Sequence, residues 1–141
     1  MALIARYLID TSAAARMRHH VVAERLAPLI EAGVVATCAS LDAEALYSAK
    51  SSADYEQIRA DRRAAYEYLP TSDEHWQQAF EAQRALARSG RHRAVGMADL
   101  LTAVIAAEHR IGVIHYDADF DIAREVLEFD SIWVAPRGSL P

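Results

Sequence analysis

The chain has 141 residues, 52% of them apolar and 25% charged, with a formal net charge of −5 at pH 7, which describes one globular domain spanning residues 1–141 and argues against a broad nonspecific nucleic-acid surface without excluding a local one. A single cysteine, Cys38, excludes an internal disulfide and any zinc site that needs two thiolates from one chain. No apolar run approaches the ~18–20 residues of a bilayer span, and MALIARYLID lacks the pattern of an export signal, so the expectation is a cytoplasmic protein.

In chain order, LIARYLI at residues 3–9 reads as a strand that ends at Asp10-Thr11-Ser12, where a Ser/Thr/Asp cap can start a helix. Helical stretches follow at about 12–19 and 22–31, with Gly33 as a stop. Residues 34–38 form a second short strand, and Ser40 is placed to cap the helix ASLDAEALYSA. A long polar helix at about 52–67 carries Arg59, Arg62 and Arg63 on what reads as its wet face. Thr71 and Glu74 have capping-box spacing and open a helix to about Arg88, stopped by Gly90. A helix at about 97–110, the strand GVIHY, a short helix near 119–127 and a last strand at 132–134 complete the chain. Strands alternating with helices predict an α/β fold, a short and mostly parallel sheet with helices on both faces.

The stretch HYDADFD, from His115 to Asp121, spaces three carboxylates at alternate positions. A calcium loop is excluded, because the sixth position counted from Asp117 is Ile122 where an EF-hand needs Gly, and a strand precedes it instead of a helix. Asp117 instead follows an apolar strand, as Asp10 does. If those strands are parallel neighbours, both carboxylates sit at the carboxyl edge of the sheet, where open α/β folds bind ligands. Taken singly, each reads equally well as a helix-capping acid. Asp99 begins ADLLTAVIAA, a helix apolar on nearly all sides and therefore buried, so its carboxylate points into the protein or a cleft. On a helical wheel of ASLDAEALYSA, Asp42 lies nearer the apolar arc than Glu44, and the residues alone leave open which of the two joins the cluster. An oxygen-only set of carboxylates suits Mg²⁺ or Mn²⁺ and repels itself without a cation. His115, inside its strand, reads as a satisfied core histidine. Aspartate-nucleophile phosphatases need a second Asp where this chain has Ser12, and the only lysine, Lys50, ends a helix, which also weakens a phosphorelay receiver.

LIDTS, AEALYSA, HRAVGMADLLTAVIAA and VIHYDADFD, in this order and spacing over nearly the whole chain, resemble the PIN domain, specifically the VapC-type toxins of toxin–antitoxin pairs. The resemblance implies a PIN-like fold and a Mg²⁺- or Mn²⁺-dependent endoribonuclease. Its catalytic and metal-binding quartet is then Asp10, Glu44, Asp99 and Asp117, with Asp119 as an accessory acid. The resemblance, and not the helical wheel, favours Glu44 over Asp42. Thr11 and Ser12 match hydroxyl positions that help to place water or phosphate. It further implies a cognate VapB-type antitoxin, a homodimer, and an RNA substrate of the structured kind, such as tRNA. The alternatives are a PIN nuclease of RNA processing or one acting on DNA, and a degenerate PIN fold that only binds RNA or protein. The intact quartet argues against the last.

An acidic nuclease still has to hold RNA. The best local basic feature is RSGRHR, in which Arg88, Arg91 and Arg93 precede the Asp99 helix, and Arg91 and Arg93 are the candidate phosphate contacts. A solvated loop is the competing reading.

Overall fold

The computed structural model describes residues 4–141, so the first residue of the strand expected at 3–9 lies outside it. The regular part of that strand is β1 (Tyr7–Ile9), followed by α1 (Thr11–Ala14), α2 (His20–Glu31), β2 (Val35–Cys38) and α3 (Ala39–Tyr47). Then come α4 (Ser52–Ala65), β3 (Glu67–Leu69), α5 (Asp73–Ala87), α6 (Met97–His109), β4 (Gly112–His115), α7 (Asp119–Ala123) and β5 (Asp130–Trp133). Among the described residues the strands form one sheet in the order β3-β2-β1-β4-β5, and every pairing is parallel. All strands therefore deliver their carboxyl ends to the same edge.

Alternation along the strands divides the core into two layers. Leu8, Ala36, Cys38 and Val113 pack towards α5 and α6, with Leu86, Leu100 and Val104. Ile9, Val35 and Ile114 pack on the other side against Val22 and Leu26 of α2. Helix α6 buries every residue from Leu100 to Ala106, as its all-round apolar sequence requires. It is the central helix of its layer. Two hydrogen bonds fasten its neighbours to it. Ser40 Oγ on α3 donates to Thr102 Oγ1, 2.8 Å away, which itself donates to the Ala98 carbonyl. On α5 the buried His75 accepts the Ser72 N–H on Nδ1, leaving its Nε2–H for Glu108 of α6.

Several local expectations are corrected. Ser40 does not cap α3; the cap position is Cys38, and Ser40 is drawn to Thr102 instead. The capping box of α5 uses Ser72 and His75, one residue on from Thr71 and Glu74. The helix expected at 12–19 is shorter, with α1 ending at Ala14 before a run of turns. Residues 67–69, expected at the end of the polar helix or after it, form β3, a three-residue edge strand.

Candidate metal centre

Pairing of Ile9 with Ile114 places the ends of β1 and β4 side by side, and the Asp10 N–H donates to the Ile114 carbonyl at 2.8 Å. Asp10 and Asp117 therefore emerge together at the carboxyl edge of the sheet. Asp10 is 4% exposed. Its Oδ2 accepts both the Ser12 N–H (3.0 Å) and the Ser12 hydroxyl (2.6 Å), an N-cap arrangement that opens α1. Ser12 Oγ in turn accepts the Tyr116 N–H at 2.9 Å, tying the residue before Asp117 to the same turn. The other oxygen, Asp10 Oδ1, is buried without a hydrogen-bond partner. A buried carboxylate oxygen left alone is costly, by ~1–3 kcal/mol or more when charged.

Asp99 enters from the first turn of α6, and Asp117 and Asp119 from the segment that leads into α7. One oxygen from each of these three lies within 4.8 Å of the others. Asp117 Oδ1 accepts the Asp119 N–H at 3.0 Å, which fixes that turn. Burial first, and then the negative charges of Asp10, Glu44, Asp117 and Asp119, push the Asp99 carboxyl up to about 7. Burial and the charge of Asp117 also raise Asp119. Five carboxylates thus share one electrostatic site.

The charge of Glu44 acts on Asp99, whereas Asp42 is engaged elsewhere. Asp42 accepts the Arg62 Nε–H at 2.9 Å and the Thr37 hydroxyl at 2.7 Å, on another side of α3. Arg62 is accordingly no part of a wet face; its side chain is 17% exposed and locked between Asp42 and Thr37. Sequence periodicity has no signal for this pair, whose members are twenty residues apart. His115 is fully buried as expected. Its Nδ1 accepts the Asp117 N–H at 3.2 Å, so Nε2–H donates to Ser131 Oγ at 2.7 Å, and that hydroxyl donates to Asp121. Burial lowers its proton affinity, and with both nitrogens engaged it supports the Asp117 turn instead of offering a ligand.

The basic loop divides. Arg91 makes a two-pronged ion pair with Glu125, at 3.0 and 3.1 Å, while Arg93 is exposed. Thr11 is half-buried beside Asp10, and the Ser12 hydroxyl is occupied in holding Asp10 and Tyr116.

A hard divalent cation fits these residues. The donors are all carboxylate oxygens, one of them orphaned in the interior, and a bound cation would offset the burial and the mutual repulsion that together lift Asp99.

Fold and site together define an α/β protein with an acidic centre at the carboxyl edge of a parallel sheet. Residues 7–126 match the PIN domain, and the chain belongs to that family. It is 41% identical over 134 residues to Ribonuclease VapC21 of Mycobacterium tuberculosis, covering 95% of this chain and 97% of that protein. To Ribonuclease VapC51 of the same organism it is 35% identical over 136 residues, covering 96% and 97%. Among solved structures, VapBC2 from Rickettsia felis bound to a DNA fragment from its promoter shares the fold, with a TM-score of 0.71 at 15% identity over 90% of this chain and 97% of that one. Among the described residues no helix is long and apolar enough to cross a membrane.

Proposed function

We propose that this chain is a metal-dependent endoribonuclease, the toxin of a toxin–antitoxin pair, that hydrolyses RNA phosphodiester bonds at the Asp10–Glu44–Asp99–Asp117 centre. The observation that carries the reading is that Asp99, Asp117 and Asp119 bring oxygens within 4.8 Å of one another near the sheet edge, with the charges of Asp10 and Glu44 acting on Asp99. The likeness to proteins named as VapC ribonucleases supports it. Mg²⁺ or Mn²⁺ would be held by Asp10, Glu44, Asp99 and Asp117, with Asp119 as an accessory, and would supply Lewis-acid polarisation of the scissile phosphate and a more acidic water.

The protein's own part is to hold those oxygens in place. Ser12 anchors Asp10 through two hydrogen bonds and ties it to Tyr116. His115 and Asp119 fix the Asp117 turn through its backbone and side chain. The Ser40–Thr102 bond holds α3, and with it Glu44, against the helix that begins at Asp99. Thr11 lies beside the same turn and is a candidate contact for the phosphate, as are Arg91 and Arg93 at the mouth of α6. The partner is a VapB-type antitoxin, in keeping with the structural likeness to VapBC complexes, and the working form is a homodimer. Structured RNA such as tRNA is the expected substrate.

Expression of the chain with and without its antitoxin, followed by sequencing of cellular RNA 5′ ends, tests the reading. New ends at a small set of sites, appearing only without antitoxin and absent for Asp99→Asn, are expected. Undisturbed RNA, or cleavage confined to DNA, would overturn it.

A further inference from the structure

We propose that the cleft between α4 and the edge strand β3 is a second contact site for RNA, holding a backbone phosphate on Arg59 and Arg63 and an adjacent unpaired base on Tyr68. The inference rests on the nuclease reading for its ligand but concerns residues outside the carboxylate centre.

The cleft has a volume of about 470 Å³, and its walls include Arg59, Arg62, Arg63, Asp42, Tyr66 and Tyr68. Arg62 is its fixed floor, bonded to Asp42 and Thr37 and lying 5.1 Å from the centre of the Tyr66 ring. That pair cancels its own charge. Arg59 and Arg63, both exposed, stand four positions apart on α4 and line the same cleft. Like charges at that spacing disfavour a helix by about 0.2–0.5 kcal/mol. Neither forms an ion pair among the described residues. A chain with a net charge of −5 has carboxylates to spare, yet here it sets two uncompensated guanidinia on the wall of a cavity. Such a wall attracts an anion, and guanidinium geometry suits phosphate.

The opposite wall is aromatic. Register pairs Thr37 with Tyr68, which puts Tyr68 on the Thr37 side of the sheet while Leu69 turns into the core. As part of an edge strand Tyr68 remains 55% exposed, so a flat apolar face borders the two cations. Positive grooves combined with exposed aromatic faces are how proteins hold single-stranded nucleic acid without reading its sequence. An acidic peptide would use the arginines but has no need of the ring. The position is also apt: α3 is the common wall, with Asp42 facing this cleft and Glu44 facing the carboxylate centre. An RNA strand crossing α3 meets both.

Binding of a short labelled single-stranded RNA to the non-cleaving Asp99→Asn protein provides the test, over a series of salt concentrations. Arg59→Ala/Arg63→Ala should weaken binding about tenfold at low salt and reduce the slope of log K against log salt by ~0.7, the value of one single-strand phosphate contact. Tyr68→Ala should also weaken binding about tenfold but leave the slope unchanged, since stacking releases no counterion. All these positions are exposed, and unchanged melting temperatures would verify folding. In the Asp99-intact protein, Mn²⁺-dependent hydrolysis of bis(p-nitrophenyl) phosphate, too small to span α3, should be the same with and without the substitutions. Unaltered RNA affinity and slope in the double variant would overturn the proposal, as would a loss confined to the antitoxin's binding. Failure of the unsubstituted protein to hydrolyse the small diester strikes at the nuclease reading, while the salt series still decides the cleft.

Discussion

Asp42 and Glu44 stand two positions apart on α3 and answer to different neighbours: Asp42 is bonded to Arg62 and Thr37, whereas the charge of Glu44 acts on Asp99. The split assigns them separable roles. Glu44→Gln should abolish RNA cleavage with little change in melting temperature. Asp42→Asn should keep cleavage but lower stability by about 1–3 kcal/mol, because it leaves the half-buried Arg62 with a neutral partner. Parallel melting curves and cleavage rates check both. Loss of activity in Asp42→Asn with a normal melting temperature would reverse the assignment.

Arg91 and Arg93 should not contribute equally to RNA binding. Glu125 already engages the Arg91 guanidinium through two bonds. Arg93→Ala is therefore expected to flatten the salt dependence of RNA binding by ~0.7, one single-strand phosphate contact, and Arg91→Ala by less. The salt series in an Asp99→Asn background measures this, and a larger effect at Arg91 would mean that its pair with Glu125 opens to admit RNA.

Without metal, stability should fall as pH rises towards neutrality. Asp99 holds its proton up to about 7 in the folded chain, against an ordinary value of 3.8. The folded state thus binds that proton more tightly than the unfolded state, and the stabilisation is full below the ordinary value and lost as pH passes through about 7. Asp119, also raised, acts in the same sense. In EDTA the wild type should melt higher near pH 5 than near pH 8, and Asp99→Asn should narrow that difference. With a saturating divalent ion the order should reverse, since the ligands must then be ionised.

The sequence made Asp10, Asp99 and Asp117 legible because local pattern dictates their surroundings. Two close apolar strands that prove to be adjacent and parallel, and the third opens a helix with no solvent face. Glu44 was not legible in that way. What removes Asp42 from the centre is a side-chain pair with Arg62 on another helix, and helical periodicity carries no record of such a partner. The same limit hid the cleft beside α4, where arginines that look solvated in sequence line a cavity only because β3 pairs with β2. Strand β3 itself is three residues long at an exposed edge, too short to show an alternating pattern. At the start of α5, neighbouring Thr71 and Ser72 compete for one cap, and His75 does the work that a glutamate was expected to do.

The central claim is that these carboxylates hold a divalent ion, and melting with and without Mn²⁺ in wild type and Asp99→Asn tests it most directly. An ion that binds only the folded chain at a hundredfold excess over Kd adds about 2.7 kcal/mol, or roughly 10 °C for a chain of this size. Asp99→Asn removes one repelling charge and one ligand together. The variant should therefore melt at or above wild type in EDTA at neutral pH, and gain much less than wild type when Mn²⁺ is added. Equal gains in the two proteins would contradict the account, because the ion would then be bound somewhere other than among Asp10, Glu44, Asp99 and Asp117.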